Sequence, residues 1–346
     1  MAITTLFLDG FDHYVTADIT RKWTTVSGAS DVIIDTSVTR SGAHALRVLN
    51  GWTRFVTRTL PSALRTLVVG FAYRPEGSGT DSLSSVAPLG PLRIMSGSSG
   101  QLALRLRASN QLALIRGNQN GTILATSNTA LASGTWYYLE LRVYIDSTNG
   151  EYELRINGVT EFLGSGANTQ TLTDNSANVI ALYGADSGHS YFDDLYLRGA
   201  AGLEAGGFLG DGKIITRYPT SDGTYNQFAR SAGTTNYENV DEATPDTADY
   251  IYSNTVEHKN TFGFAALADP GSVQAVQLNL LVNKETAGYR AVQPYLKSNT
   301  TEQAAALQAV SVDPLYRLKV WDQDPHTSDG WQTANLDSAE FGLEVG

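Results

Sequence analysis

Four aspartates near the two ends of the first two hundred residues are the candidates for a metal site, and a fifth lies nearby. Asp9 and Asp12 lie close to the start of the chain, Asp193 and Asp194 lie close to residue 200, and Asp186 precedes that pair. If the first and the last strand of this region pair, these side chains meet in space. Converging carboxylate oxygens are the ligands that Ca²⁺ prefers. We predict no cofactor, and Ca²⁺ held by Asp9, Asp12, Asp193 and Asp194 is the alternative.

The residue types that carry catalysis form no recognised constellation. The chain has no Cys, which excludes a cysteine nucleophile, and its five His residues lack the short spacing of a metal cluster. No nucleophile-elbow, zinc-protease or phosphate-loop motif is present. Glu151 and Glu153 alternate with core residues, so we expect them on an outward face and not in a hydrolase cleft. We therefore predict that the chain is not an enzyme.

Large aromatic side chains are the remaining functional signal. Trp52, Trp321 and Trp331 are the candidates for stacking on sugar rings or for anchoring a protein interface. Most Trp and Tyr side chains belong to a core. Three alternatives therefore stay open at each position, namely the core first, an interface second and a sugar platform third.

The net charge of −11 is concentrated in the second half of the chain. Residues 1–200 carry 16 Asp and Glu against 15 Lys and Arg, whereas residues 201–346 carry 19 against 9. This acidity argues against nucleic acid as a partner, because phosphate is repelled by like charge. No segment has the roughly twenty apolar residues of a membrane helix, and no signal peptide is recognised at the N-terminus.

Hydrophobic periodicity predicts β-strands along most of the chain. Apolar side chains alternate with polar ones over 136–145 and again over 151–156, and Asn157-Gly158 is a strong turn signal. Residues 67–74 are apolar on both faces, as expected of a central strand that is covered on two sides. The stretch 301–310 has the composition of a short helix, but its surroundings favour a strand. The sequence thus predicts an all-β protein.

The hairpin motifs, Gly134-Thr-Trp-Tyr-Tyr-Leu139 and Tyr152-Glu-Leu-Arg-Ile-Asn-Gly158, resemble those of the concanavalin A-like (laminin-G-like) jelly roll. An opening strand at 6–12 and a closing Phe-Asp-Asp-Leu strand at 192–195 fit the same family. The resemblance covers roughly residues 1–200 and implies a jelly-roll sandwich. It also implies that the Asp pair of the closing strand often has no metal, although some members bind Ca²⁺. Lectins, hydrolases and virion proteins all use this fold, and the acidic catalytic strand of its hydrolases is absent here.

Residues from about 205 onward resemble bacteriophage virion proteins. The motifs that carry this resemblance are Phe208-Leu-Gly-Asp211, Pro219-Thr-Ser-Asp-Gly223, Val240-Asp-Glu-Ala-Thr-Pro-Asp246 and the closing segment 331–345. Between the two resemblances, 201–207 is rich in Gly and Ala and is typical of a linker. We predict a jelly-roll domain over 1–200, a linker over 201–207 and a second β-sandwich-like domain over 208–346.

Together these observations predict a non-enzymatic structural protein of a bacteriophage virion. It would serve as a capsid decoration or tail-associated component, assembled in the host bacterial cytoplasm. Its partners would be other virion proteins and further copies of itself, with a trimer as the suggested oligomer. The alternative function is a carbohydrate-binding adhesin module on a tail fibre that recognises host glycans. That alternative requires exposed aromatic side chains beside the long polar loop 74–89.

Overall fold

The computed structural model describes residues 2–81, 90–118, 121–268 and 271–346. Strands account for 49% of the chain and helices for 6%, which confirms the predicted all-β sandwich class. The chain forms two compact units, unit 1 (Met1–Ile215) and unit 2 (Thr216–Gly346). No helix within the described ranges is long and apolar enough to cross a membrane.

Unit 1 is a jelly-roll sandwich of two antiparallel sheets. Its strands are β1 (Thr4–Asp9), β2 (Thr25–Ser27), β3 (Val32–Asp35), β4 (Ala45–Leu49), β5 (Phe55–Leu64), β6 (Thr66–Pro75), β7 (Pro91–Ser96), β8 (Ser99–Leu106), β9 (Gln111–Arg116), β10 (Thr122–Ala130), β11 (Tyr137–Tyr144), β12 (Gly150–Ile156), β13 (Val159–Ala167), β14 (Ala177–Tyr183) and β15 (His189–Ala200). A one-turn helix, α1 (Ile19–Lys22), lies between β1 and β2. Sheet I has the order β13-β12-β11-β6-β15-β4-β3, with β1 also paired to β15, and sheet II has the order β10-β9-β8-β7-β14-β5-β2.

The pairings expected from the sequence are present in sheet I. β11 and β12 form the predicted hairpin, with Leu141 opposite Leu154. Asn157 and Gly158 both have positive φ, at 51° and 78°, as a tight turn into the next strand requires. The first and last strands of unit 1 pair through β1 and β15, with Leu8 opposite Tyr196.

Sheet I is covered on both faces. On the face toward sheet II, the side chains of Leu67, Val69 and Phe71 in β6 are fully buried, and Phe71 lies 5.8 Å from Phe192 between ring centroids. On the opposite face, Val68 and its buried neighbours pack against Phe208 and Leu209. The two-sided burial predicted for residues 67–74 is therefore confirmed.

The covering segment is residues 203–214, which we call the strap. Its backbone is held by side chains of sheet I: the Gly210 N–H donates to Glu140 Oε1 at 2.8 Å, and the Ile214 N–H donates to Asp194 Oδ1 at 2.8 Å. Arg198 donates to the Gly207 carbonyl at 3.0 Å. The predicted linker at 201–207 and the domain start at 208 therefore lie inside unit 1, and the structural division falls later, after residue 215.

Unit 2 has one large sheet and smaller strand pairs. Its elements are β16 (Pro219–Asn226), β17 (Ala229–Arg230), β18 (Ile251–Tyr252), β19 (Lys259–Phe264), β20 (Val276–Val282), β21 (Ala291–Ser298), β22 (Thr301–Ala304), β23 (Gln308–Ala309), β24 (Leu315–Trp321), α2 (Thr333–Ser338) and β25 (Glu340–Val345). The large sheet has the order β16-β19-β25-β21-β22, with β23 also paired to β21. β20 pairs only with β24 among the described strands, and apolar side chains of β20 pack on the core next to Trp321 and Phe341.

A truncation tests the extent of unit 1. A fragment 1–215 should be more stable than a fragment 1–200, because the shorter fragment exposes the apolar face that Phe208 and Leu209 cover and leaves Glu140 without the Gly210 N–H. We expect the free energy of unfolding of fragment 1–200, measured in urea, to be about 2–4 kcal/mol lower than that of fragment 1–215. Leu203→Ser in the longer fragment is the control, since Leu203 is exposed and should change the stability by less than about 0.5 kcal/mol. Equal stability of the two fragments would show that the strap is not part of unit 1.

Candidate functional site

Trp52 is the exposed member of the three Trp candidates, with 53% of its surface accessible. It lies in the short loop between β4 and β5, and hydrogen bonds hold this loop in place. The Asn50 N–H donates to the Gly188 carbonyl at 3.0 Å, and the Arg54 guanidinium donates to Asp31 at 2.7 Å and to the Asn50 carbonyl at 2.9 Å. The loop is therefore anchored on both sides of the indole, which faces solvent.

The loop of Trp52 lies at the same end of the sandwich as the described part of the long polar loop. The segment 184–189 connects them: it accepts from Asn50 on one side, and on the other the Glu76 N–H donates to the His189 carbonyl at 2.8 Å. The Ser78 N–H also donates to Ser187 Oγ at 3.0 Å. Trp52 thus belongs to the loop cluster expected beside 74–89; residues 82–89 lie outside the described residues.

An aromatic row begins directly after the Trp52 loop, on the outward face of sheet II. Phe55 opens β5 and is paired with Tyr183, which closes β14, and the ring centroids are 4.7 Å apart. The Arg93 guanidinium of β7 lies 5.4 Å from the Tyr183 ring and donates to its hydroxyl at 3.2 Å. Strand alternation places these side chains outward, because Leu92 on β7 is fully buried toward the core.

We call Trp52, Phe55, Arg93 and Tyr183 the Trp52 site. It combines an exposed indole, a tilted aromatic pair and a guanidinium over a ring. Aromatic faces bind the apolar faces of ligands, and a guanidinium supplies directional N–H donors. Of these four residues, only Trp52 was predicted from the sequence. The signal that would have found Arg93 is a single charged residue at an outward position of the otherwise apolar strand Pro91–Ser96.

Asp9 is buried in an ion pair instead of an open metal site. Its carboxylate lies 3.0 Å from Lys22 Nζ, and both side chains are fully inaccessible. It also accepts from the Phe11 N–H at 3.0 Å, the Tyr14 hydroxyl at 2.8 Å and Trp23 Nε1 at 3.0 Å. Burial lowers the pKa of Lys22 to about 8. The oxygens of Asp9 therefore face hydrogen-bond donors, which is a structural role.

The other three Ca²⁺ candidates bind the loop 40–44. Asp12 accepts from two backbone N–H groups of this loop at 2.7 and 3.0 Å, and Asp193 accepts from two more at 3.0 and 3.1 Å. Asp194 accepts from Ser41 Oγ at 2.7 Å and pairs with the Arg40 guanidinium. Burial, and next the charge of Asp194, raise the pKa of Asp193 to about 8.

These contacts favour the structural alternative for the aspartates. The carboxylates do converge, as the pairing of the first and last strands implied, but on N–H donors of one loop. Within the described ranges no group of three or more His, Cys, Asp or Glu side chains has the arrangement of a metal site. In this fold Asp9, Asp12, Asp193 and Asp194 serve as hydrogen-bond acceptors and ion-pair partners, and Ca²⁺ at these positions stays a prediction.

Trp321 and Trp331 are core residues of unit 2, which corrects their assignment as interface or glycan candidates. They are 5% and 4% exposed and lie 5.9 and 6.2 Å from the Phe341 ring. Trp331 Nε1 donates to the Trp321 carbonyl at 3.0 Å, so its polar atom is satisfied inside the core. The reason is positional: Trp321 ends β24, whose pairing with β20 turns it toward the core.

Comparison with known proteins finds the architecture but no family. No family model and no curated protein matches the chain. Among solved structures, an endo-β-1,4-glucuronan lyase from Trichoderma reesei is 14% identical, with a TM-score of 0.40, over 57% of this chain and 96% of that one. A mutant of the alginate lyase Aly36B with an alginate tetrasaccharide is 13% identical, with a TM-score of 0.40, over 58% and 98%. An endo-1,3-β-glucanase from Streptomyces sioyaensis is 13% identical, with a TM-score of 0.39, over 58% and 97%.

This likeness concerns the β-sandwich and assigns no role to any residue of this chain. It does correct one prediction. Because the three solved structures of this architecture are glycan-processing enzymes, the prediction that the chain is not an enzyme does not stand. The absence of a recognised catalytic motif in the sequence was not sufficient ground for it.

A double-mutant cycle tests the buried ion pair. Asp9→Asn and Lys22→Met should each lower the free energy of unfolding by about 3–5 kcal/mol, because each leaves a buried group without its charged partner. The double variant should lose less than the sum of the two by more than about 1 kcal/mol. The exposed pair Arg107–Asp81 is the matched control, with single-variant effects of about 0.2–1 kcal/mol. Additive effects at Asp9 and Lys22 in urea denaturation would contradict the coupling.

Proposed function

We propose that unit 1 binds glycans through the Trp52 site. The observation that carries the proposal is the exposed indole of Trp52 on a hydrogen-bonded loop that leads directly into the Phe55–Tyr183 pair. Trp52 leaves about half of its apolar ring surface in contact with water, and the C–H face of a sugar ring suits such an aromatic surface. Loops on a rigid scaffold are also where binding residues concentrate.

The anchoring of the loop favours binding over a purely incidental exposure. Gly51 has φ of 128°, which only glycine adopts readily, so the turn that presents the indole has a defined shape. The Arg54–Asp31 ion pair fixes the other side of the same turn. A ligand that stacks on Trp52 therefore does not have to order the loop, which lowers the entropic cost of binding.

Glycan-array binding of matched variants tests this function. Trp52→Ala should reduce binding to the recognised glycan at least about tenfold, which corresponds to ~1.4 kcal/mol. Leu163→Ala is the control, because Leu163 is also strongly exposed and lies on the edge strand β13, outside the Trp52 site. Both variants should unfold at the same temperature as the parent protein. Unchanged binding after Trp52→Ala, or no glycan bound by the parent protein, would overturn the proposal.

We propose as a second candidate that the chain is a structural component of a bacteriophage virion that assembles as a homo-oligomer. The observation that favours assembly is an apolar patch on unit 2. Four of its side chains are 53–68% exposed, and they are Val256, Tyr289, Leu307 and Val312. Exposed apolar patches of this kind mark protein interfaces.

Contacts place three of these side chains, Val256, Tyr289 and Leu307, around the end of β25, where Leu307 lies against Gly346. The Glu257 N–H donates to the Val345 carbonyl at 2.8 Å, and the Gly346 N–H donates to the Ala291 carbonyl at 3.0 Å. The Val310 N–H donates to the Arg290 carbonyl at 2.8 Å, next to Tyr289. Other virion proteins and further copies of this chain, in a trimer, are the partners that this second proposal names.

Light scattering and electron microscopy test the second candidate. The protein should be oligomeric, and Leu307→Ser combined with Val256→Ser should shift the mass toward the monomer, because both changes remove apolar area from the patch. Leu163→Ser in unit 1 is the control and should leave the mass unchanged. Antibody against the chain should label purified particles, over the head for decoration or at the tail for a tail component. A monomeric protein that labels no particle contradicts this candidate.

A further inference from the structure

Arg93 stands between two alanines on sheet II. Its partners in the neighbouring strands are Ala181 of β14 and Ala103 of β8. Both alanines are buried, whereas the longer side chain of Arg93 remains partly exposed. Its guanidinium contacts Tyr183, and the Tyr183 ring lies 4.7 Å from the ring of Phe55, the residue that follows the Trp52 loop.

The positive charge of Arg93 has no acidic partner among the described residues. Its guanidinium donates to the Tyr183 hydroxyl, and its Nε is buried without an acceptor. Other arginines of the same end are ion-paired: Arg54 with Asp31 at 2.7 Å and Arg74 with Glu76 at 2.7 Å. Arg93 therefore keeps N–H donors and a full charge for a ligand.

We propose that the glycan bound at the Trp52 site is acidic, and that Arg93 binds its carboxylate. This inference rests on the glycan-binding function proposed for that site. A guanidinium binds a carboxylate through two parallel N–H donors, which gives both affinity and orientation. A uronic acid presents a carboxylate and an apolar C–H face on one ring. A glycan built of such units can place its carboxylates over Arg93 and its ring faces over Trp52.

Contact with Tyr183 orients the guanidinium for this task. The ring lies 5.4 Å from the Arg93 carbon centre, and the hydroxyl of the same Tyr accepts from the same guanidinium at 3.2 Å. Tyr183 is itself held by Phe55 at 4.7 Å. Tyr183 is therefore a positioning residue that orients Arg93, and Arg93 is the residue that binds the carboxylate.

The test compares binding of a polyuronate with binding of its carboxyl-reduced, neutral form. The probes are polygalacturonate, the same polymer after carboxyl reduction, and dextran sulfate. The parent protein should bind polygalacturonate at least tenfold more tightly than the reduced polymer, and added salt should weaken this binding. Arg93→Gln should lose that preference, whereas its affinity for the reduced polymer should not change. Arg93→Lys should retain part of the preference, because it keeps a point charge without the two-donor geometry.

Arg116→Gln is the matched control, because it removes the same charge from sheet II on a strand outside the Trp52 site: Arg116 ends β9, two strands from β7, and pairs with Leu102. If Arg93→Gln binds polygalacturonate as Arg116→Gln does, the role of Arg93 is overturned. Equal losses on the acidic and the reduced polymer would also overturn it, since Arg93 would then only support Tyr183. Tighter binding of dextran sulfate than of polygalacturonate, lost in Arg93→Gln, would replace the carboxylate with a sulfate.

Glycan binding at the Trp52 site and carboxylate binding by Arg93 are contradicted by different results. Loss of binding in Trp52→Ala without any effect of Arg93→Gln leaves the glycan-binding function in place and removes the acidic ligand. No binding of any of the three polymers and no glycan-array signal removes both. If Arg93→Gln does not fold, Arg93→Lys on the same pair of polymers decides the question, because it preserves the charge over Tyr183.

Discussion

The ion pair between Asp9 and Lys22 is the constraint on which the N-terminal half of unit 1 depends. Both side chains are fully buried, and an unpaired charge at either position would cost several kcal/mol. The pair therefore has to form, and with it the hydrogen bonds that Asp9 accepts from Tyr14 and Trp23. These contacts fold residues 10–23 back onto the end of β1. They fix where the next carboxylate, Asp12, meets the loop 40–44.

Buried carboxylates also hold the loop 40–44 and the strap against sheet I. Asp12, Asp193 and Asp194 all accept from the loop 40–44, and Asp194 also accepts from the Ile214 N–H. The buried acids of unit 1 thus hold backbone segments that have no strand partner of their own. Carboxylates that resemble a metal site in the sequence satisfy N–H donors in the fold. The Trp52 site lies in a different part of the sandwich, at the end of sheet II where the loop between β4 and β5 leads into β5.

The elements of this fold were largely predictable, and the roles of its polar and aromatic side chains were not. The hairpin of β11 and β12, the pairing of β1 with β15 and the two-sided burial of β6 follow from alternation and turn residues. The stretch 301–310 forms the short strands β22 and β23, as its surroundings favoured, despite its helical composition. The Gly-rich composition of the strap is typical of a linker, whereas its contacts with Glu140, Asp194 and Arg198 of sheet I appear only once the sheet has formed.

What the sequence by itself determined is the strand pattern, because the two-residue period of a strand and the turn between strands are local properties of the chain. Only the tertiary structure decided which Trp is exposed. Trp52, Trp321 and Trp331 are the same residue type, yet one lies in a loop and two lie against Phe341. It also decided that Arg93 stands between two alanines and has no acidic partner in the described part of the chain, whereas Lys22 is paired. Burial and pairing depend on residues that are distant in sequence, and no local pattern encodes which of them will meet.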